Sequence, residues 1–214
     1  MNIRSEASTD SKSLEKLNRR DEVERLSDDG EWSQILYKGQ ICYVASQYLK
    51  VKPEPGTLNG CLVVIDAGHQ ARGNSKQEPV GLGASATKNK VSSGTAGTYT
   101  GVAEYELNLA VALKFQEELE TRGYEVIMVR TTNDVNISNV ERATIANEAH
   151  ADAFIRIHAD GAESGNPTGT MTICQTPNNP YNSNIYSECK ELSQLVVDAI
   201  CEQTGSHNRG VWGN

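Results

Sequence analysis

Apolar residues in this chain fall into short runs that end on chemistry. Cys61-Leu62-Val63-Val64-Ile65 stops at Asp66 and is followed by Ala67-Gly68-His69. A second run, Ala153-Phe154-Ile155-Arg156-Ile157, stops at His158. Short apolar runs bounded by polar residues suit strands buried on both faces. Between them the period lengthens. Glu104 to about Thr121 carries Leu107, Ala110, Val111 and Leu119 at helical spacing, and Arg122-Gly123 is a suitable stop. Tyr124–Arg130 reads as a strand, and Ser138-Asn139-Val140-Glu141 is a capping box opening a further helix. The strand at 153–158 follows, then a β segment at 168–175 and a helix from Ile185 to about Glu202. Strand and helix alternate, which predicts an α/β fold: a mostly parallel sheet with helices on both faces.

Residues 1–50 follow a different rhythm. Asp28-Asp29-Gly30 is a turn signal, Glu31–Tyr37 is strand-like, Lys38-Gly39 is a tight-turn candidate, and Gln40–Val44 returns as the partner strand. This predicts a small all-β module, either purely structural or ligand-binding. Residues 51–60, with Pro53, Pro55, Gly56 and Gly60, read as a linker, so the domains expected are 1–50 and 61–214. Residues 70–103 are rich in Gly, Ser, Thr and Asn. A polar stretch of that length is either functional or a disordered insertion. Its place between His69 and Glu104 favours a substrate-facing loop.

Composition narrows the function class. The chain has 214 residues and a formal net charge of -8, which argues against a nucleic-acid partner, because phosphate binding needs a basic face. No run approaches the roughly 20 apolar residues of a membrane span. No apolar leader opens the chain, and the first residues look like the inside of a folded module, so Met1 is not expected to be the natural start. Five cysteines, an odd number without C-x-x-C spacing, exclude a zinc ribbon and weaken a disulfide framework. Most are expected to be buried small hydrophobes, with a single bridge left open.

In open α/β sheets, ligands bind outside the carboxyl ends of the strands. His69 and His158 both arrive there. A catalytic zinc takes three protein ligands plus water, and Glu104, in the first turn of the helix after the polar stretch, can supply the third, favoured there by the helix dipole. Glu106 would point elsewhere. Asp66 reads either as a ligand or, preferably, as a group that orients His69. Arg130 and Arg142 pair with carboxylates or hold substrate carboxyl groups, a structural role being favoured. His150, at a helix end, and His207, in a polar stretch, have weaker claims.

Four motifs then coincide with a known family. Val63–His69, Ala103-Glu104-Tyr105-Glu106-Leu107-Asn108-Leu109, Arg142–Asn147 and Ala151–Asp160 resemble, in order, the zinc-dependent N-acetylmuramoyl-L-alanine amidases of the amidase-3 family. The resemblance covers about residue 61 to the end and implies Zn2+ as cofactor, with ligands at His69, Glu104 and His158. Asn2-Ile3-Arg4, Gly30-Glu31-Trp32 and Tyr43–Leu49 are similar to a bacterial SH3 (SH3b) module lacking its first strand. Such modules commonly bind cell-wall peptides.

The resemblance implies hydrolysis of the amide joining N-acetylmuramic acid to L-alanine in peptidoglycan, by a monomeric cell-wall hydrolase working outside the cell or at the wall. It also implies a second glutamate, the general acid/base, in a motif that would lie beyond Asn214. The chain is therefore expected to be truncated at both ends and to turn over poorly, with no catalytic acid/base of its own. Two other readings remain open: a zinc peptidase acting on wall peptides, and a non-catalytic peptidoglycan-binding protein with a degenerate enzyme domain.

Overall fold

The computed structural model describes residues 1–17, 21–49, 60–161 and 168–213. The chain divides into two compact units, Met1–Glu54 and Pro55–Asn214. The linker expected over 51–60 lies, except for Gly60, outside the described residues.

The first unit is a five-stranded antiparallel sheet of β1 (Asn2–Arg4), β2 (Ser13–Lys16), β3 (Glu24–Asp28), β4 (Trp32–Tyr37) and β5 (Gln40–Ala45), in the order β2-β1-β5-β4-β3. Alternation along the strands sends Ile3, Ile35, Cys42 and Val44 into one core with Leu17. The β4–β5 turn is Lys38-Gly39, and both residues have positive φ (50° and 77°). That combination gives the two-residue hairpin turn whose twist matches its strands. A surface cavity of about 440 Å³ on this unit is lined by residues including Arg4, Thr9, Trp32, Gln47 and Tyr48.

In the second unit β6 (Leu62–Ala67) lies at the centre of a three-stranded parallel sheet, between β10 (Ala153–Ile157) and β9 (Glu125–Met128). Because successive side chains of β6 point to opposite faces, Val63, Ile65 and Ala67 pack on Leu109 and Ala112 of helix α1 (Glu104–Thr121). Val64 points the other way, onto Ala146 of helix α2 (Asn139–Glu148) and Val129. Helices thus cover both faces. Past β10, strand β11 (Thr170–Cys174) pairs in parallel with β12 (Asn208–Gly213), and helix α3 (Tyr186–Thr204) joins and packs on them. Among the described residues no helix is long and apolar enough to cross a membrane.

Three strands of this unit were not foreseen. The polar stretch 70–103 contains an antiparallel hairpin, β7 (Asn74–Pro79) with β8 (Thr87–Val91). Each strand buries a single residue, Glu78 and Val91, so no apolar alternation marks them. Strand β12 likewise buries none of its residues fully. The cysteines also depart from expectation: only Cys42 is buried, Cys61 is exposed, and Cys174, Cys189 and Cys201 are half-buried.

The capping box of α2 forms as its sequence requires. The Ser138 hydroxyl accepts from the Glu141 N–H at 3.2 Å, and the Glu141 carboxylate accepts from the Ser138 N–H at 2.7 Å. The Ser138 N–H donating to it, with the Ser138 hydroxyl beside it, holds the Glu141 carboxyl below the usual carboxylate range. Replacing Ser138 by Ala is expected to cost about 1 kcal/mol of unfolding free energy, the typical value of such a cap, measured by urea denaturation.

Candidate metal centre

β6 and β10 run in parallel and in register, Ala67 opposite Ile157, so the residues just past their ends emerge at one edge. His69 and His158 sit there, and the first turn of α1 brings Glu104 against them. His69 Nε2 lies 3.2 Å from Glu104 Oε1, His158 Nδ1 lies 3.2 Å from the same oxygen, and the two ring nitrogens are 3.1 Å apart. The rings meet edge to face, with centroids 4.6 Å apart.

Two glycines let these groups come so close. A Cβ on Gly68 would stand 2.3 Å from His158 Nε2, and one on Gly94 would stand 2.7 Å from Glu104 Oε2 and 2.8 Å from His69 Cδ2. His69 itself takes a left-handed backbone conformation, φ 64°, which a non-glycine residue holds only when its surroundings enforce it. Here every carbonyl around it is tied. Arg130 Nε donates to the Ala67 carbonyl at 2.7 Å, Arg130 Nη2 and Asn108 Nδ2 both donate to that of Gly68 at 3.1 Å, and Arg142 Nη2 donates to that of His69 at 3.2 Å. Burial among these groups, with Arg142 nearby, pushes the Arg130 guanidinium down to about 10, still charged at neutral pH.

Asp66 does not touch the His69 ring. Its carboxylate, fully buried, accepts from Arg142 Nη1 on one oxygen and from Arg156 Nε at 2.8 Å on the other. Arg130 and Arg142 bind main-chain carbonyls and, for Arg142, Asp66. The His69 ring is oriented by Ser92, whose carbonyl and hydroxyl each lie 3.0 Å from Nδ1. An Nδ1–H donated to that carbonyl leaves the Nε2 lone pair facing Glu104. The segment after the hairpin also holds the carboxylate: Thr95 N–H donates to Glu104 Oε2 at 3.1 Å, and Glu104 N–H donates to the Thr95 carbonyl at 2.8 Å. Ser92, Gly94 and Thr95 were missed from the sequence, although a Ser-Ser-Gly-Thr string between two candidate ligands could have drawn notice.

Burial works against the Glu104 carboxylate, but donors from Thr95, Ala159 and Asn108 and the adjacent His69 prevail and hold its pKa below the usual range. Burial, with Arg156 and His69 nearby, depresses His158. Both groups thus favour the states that bind a cation: ionised carboxylate and neutral imidazole. The fit to zinc is close. Three donors on a tetrahedral ion with bonds of about 2.0–2.1 Å stand roughly 3.3 Å apart, and these stand 3.1–3.2 Å apart. The partly exposed His158 leaves one side open to solvent. Glu106 instead accepts from the Ala103 N–H at 3.4 Å, and His150 and His207 are exposed elsewhere.

Residues 63–214 match the family described as N-acetylmuramoyl-L-alanine amidase. The chain belongs to this amidase family. Residues 1–50 match the bacterial SH3 domain. Over 111 residues the chain is 32% identical to the amidase LytC of Bacillus subtilis, an alignment covering 52% of this chain and 21% of LytC. It is also 32% identical over 111 residues to the amidase Rv3717 of Mycobacterium tuberculosis, covering 50% of this chain and 45% of that protein. The chain thus spans less than half the length of either relative. The crystal structure of the amidase Ami1 from Mycobacterium smegmatis superposes with a TM-score of 0.63 at 26% identity, covering 74% of each chain.

Two expectations follow for the amidase domain. Gly68→Ala drives a methyl into the His158 ring and should cost about 1–3 kcal/mol, the usual range for overpacking, with a shifted His158 ring resonance in NMR spectra. In metal-free protein, the same resonance should titrate below the ordinary 6.5. The unfolded chain protonates this histidine first, so the stability it contributes is present above 6.5 and is lost as pH falls through 6.5 towards the lower folded value. Folding free energies measured across that window check the sign.

Proposed function

We propose that this protein hydrolyses the amide bond between N-acetylmuramic acid and L-alanine in peptidoglycan, with zinc held by His69, Glu104 and His158. The observation that carries the reading is the convergence of two imidazole nitrogens and one carboxylate oxygen, 3.1–3.2 Å apart, in a domain of the amidase family. Bound zinc would supply polarisation of the amide carbonyl and a water of lowered pKa.

The chain's own residues set the stage for that chemistry. Ser92 selects the His69 tautomer that turns Nε2 towards the centre. Thr95, Asn108 and Ala159 hold the Glu104 carboxylate ionised and aimed. Arg130 and Arg142 fix the main chain that carries His69, so that no reorganisation is needed when substrate arrives. Asp160, two residues past His158, is paired with Arg209 at 2.8 Å. The SH3 domain binds wall peptide in this reading, through a face carrying Trp32 and Tyr48. In this reading the protein works outside the cell, at the wall.

Metal analysis tests the site. One zinc per chain is expected, lost in His69→Ala and in Glu104→Gln; equal zinc in wild type and both variants would overturn the ligand assignment. Product analysis tests the bond. Prolonged digestion of purified peptidoglycan, with turnover expected to be slow, should expose L-alanine amino termini and stop on chelation with EDTA. Termini at other peptide bonds would identify a peptidase instead, and wall binding without any new termini a non-catalytic binder.

A further inference from the structure

The first turn of α2 reaches two parts of the polar network around the metal centre at once, through one side chain. Asn139, the residue after the Ser138 cap, donates from Nδ2 to the carbonyl of Lys90 at 2.6 Å. Its Oδ1 accepts from Arg156 Nη2 at 2.9 Å. Only one orientation of the amide satisfies both partners, because a guanidinium only donates and a carbonyl only accepts. Arg156 continues inward to Asp66, which continues through Arg142 to the carbonyl of His69. In the other direction Lys90 is two residues from Ser92, whose carbonyl and hydroxyl meet the His69 ring. The network therefore closes on His69 from both sides: its main chain through Arg142, its ring through Ser92.

We propose that Asn139 is a positioning residue, a latch that fixes the end of the β7–β8 hairpin to the Asp66 arginine pair and so sets the orientation of the His69 ring. The proposal rests on the reading of His69 as a metal ligand. It makes the 70–103 segment, at its site-proximal end, a strut rather than a gate. The rest of the hairpin has its own anchor, since both carboxylate oxygens of buried Glu78 lie 3.3 Å from the Val140 N–H. Losing the latch releases the Lys90 carbonyl, two residues from Ser92, without undocking the hairpin, whose Val91 stays buried. The loss of a group that orients a metal-ligating histidine typically costs about 10–100-fold in metal affinity.

Asn139→Asp separates positioning from mere stability. An acid in the first turn of a helix is favourable, and it keeps a partner for Arg156, but it removes the donor to Lys90 and sets a negative charge against that carbonyl. Zinc affinity of the full chain is measured by competition with a chromophoric chelator, and site geometry by the visible absorption of the Co2+-substituted protein. Asn139→Asp should melt no lower than wild type, bind zinc about tenfold more weakly, and show altered Co2+ bands. Asn139→Ala should show a similar loss of affinity together with a lower melting temperature. Wild-type affinity and an unchanged Co2+ spectrum in Asn139→Asp, with zinc abolished in His69→Ala, would overturn the latch alone. Unchanged zinc binding in His69→Ala would overturn the metal-site reading and the latch with it.

Discussion

The carboxylate of Asp66, buried at the end of the central strand between two guanidinium groups, is the interaction around which the amidase domain is organised. Removing a carboxylate from water costs several kcal/mol unless its charge is met and its lone pairs are filled. Arg142 and Arg156 do both, one on each oxygen. Having met that charge, the arginines still have N–H groups to place, and a planar fork reaches several acceptors at once. Arg142 uses its own on Ala67, His69 and Gln70. A central strand that would otherwise end in a loose turn thus ends in a main chain whose carbonyls are held from below.

The three candidate ligands stood out in the sequence because each punctuates an apolar run or opens a helix, and the structure brings them together. His69 stands just past a strand buried on both faces, His158 just past an apolar run broken only by Arg156, and Glu104 where the helical period begins. α1 runs from Glu104 to Thr121 as its pattern indicates. What surrounds the ligands was not legible. The hairpin strands are polar because only Glu78 and Val91 are buried, so their order comes from the main-chain ladder and from hydrogen bonds to α2 rather than from an apolar face. Ser92 and Gly94 look like loop residues in a string of letters, and Asn139 reads only as part of a capping box. Asp66 was expected beside the His69 ring; its two arginines, from α2 and β10, are distant in sequence, and no local pattern reports such a pairing.

The SH3 domain shows the opposite balance. Its core is small and its strands short, but turn chemistry is explicit: Lys38-Gly39 supplies two positive φ angles in succession, and the Asp29 carboxylate accepts from the N–H groups of Glu31 and Trp32. Local signals of that kind survive in sequence. Long-range polar clamps, on which the amidase domain relies, do not.

The wide spacing of the three donors has a consequence for folding. His69 and His158 are separated by 89 positions and Glu104 lies between them. Their encounter requires that β6 and β10 already be paired and that α1 be docked on the sheet. An unfolded chain offers no two of these groups within easy reach of one another, because closing long loops costs entropy that only native packing repays. A cation that binds here would therefore favour the native state, and stabilise it by an amount that grows with the logarithm of its free concentration. With a metal as occupant, its supply would then set how strongly the native fold is stabilised, quite apart from any chemistry at the site.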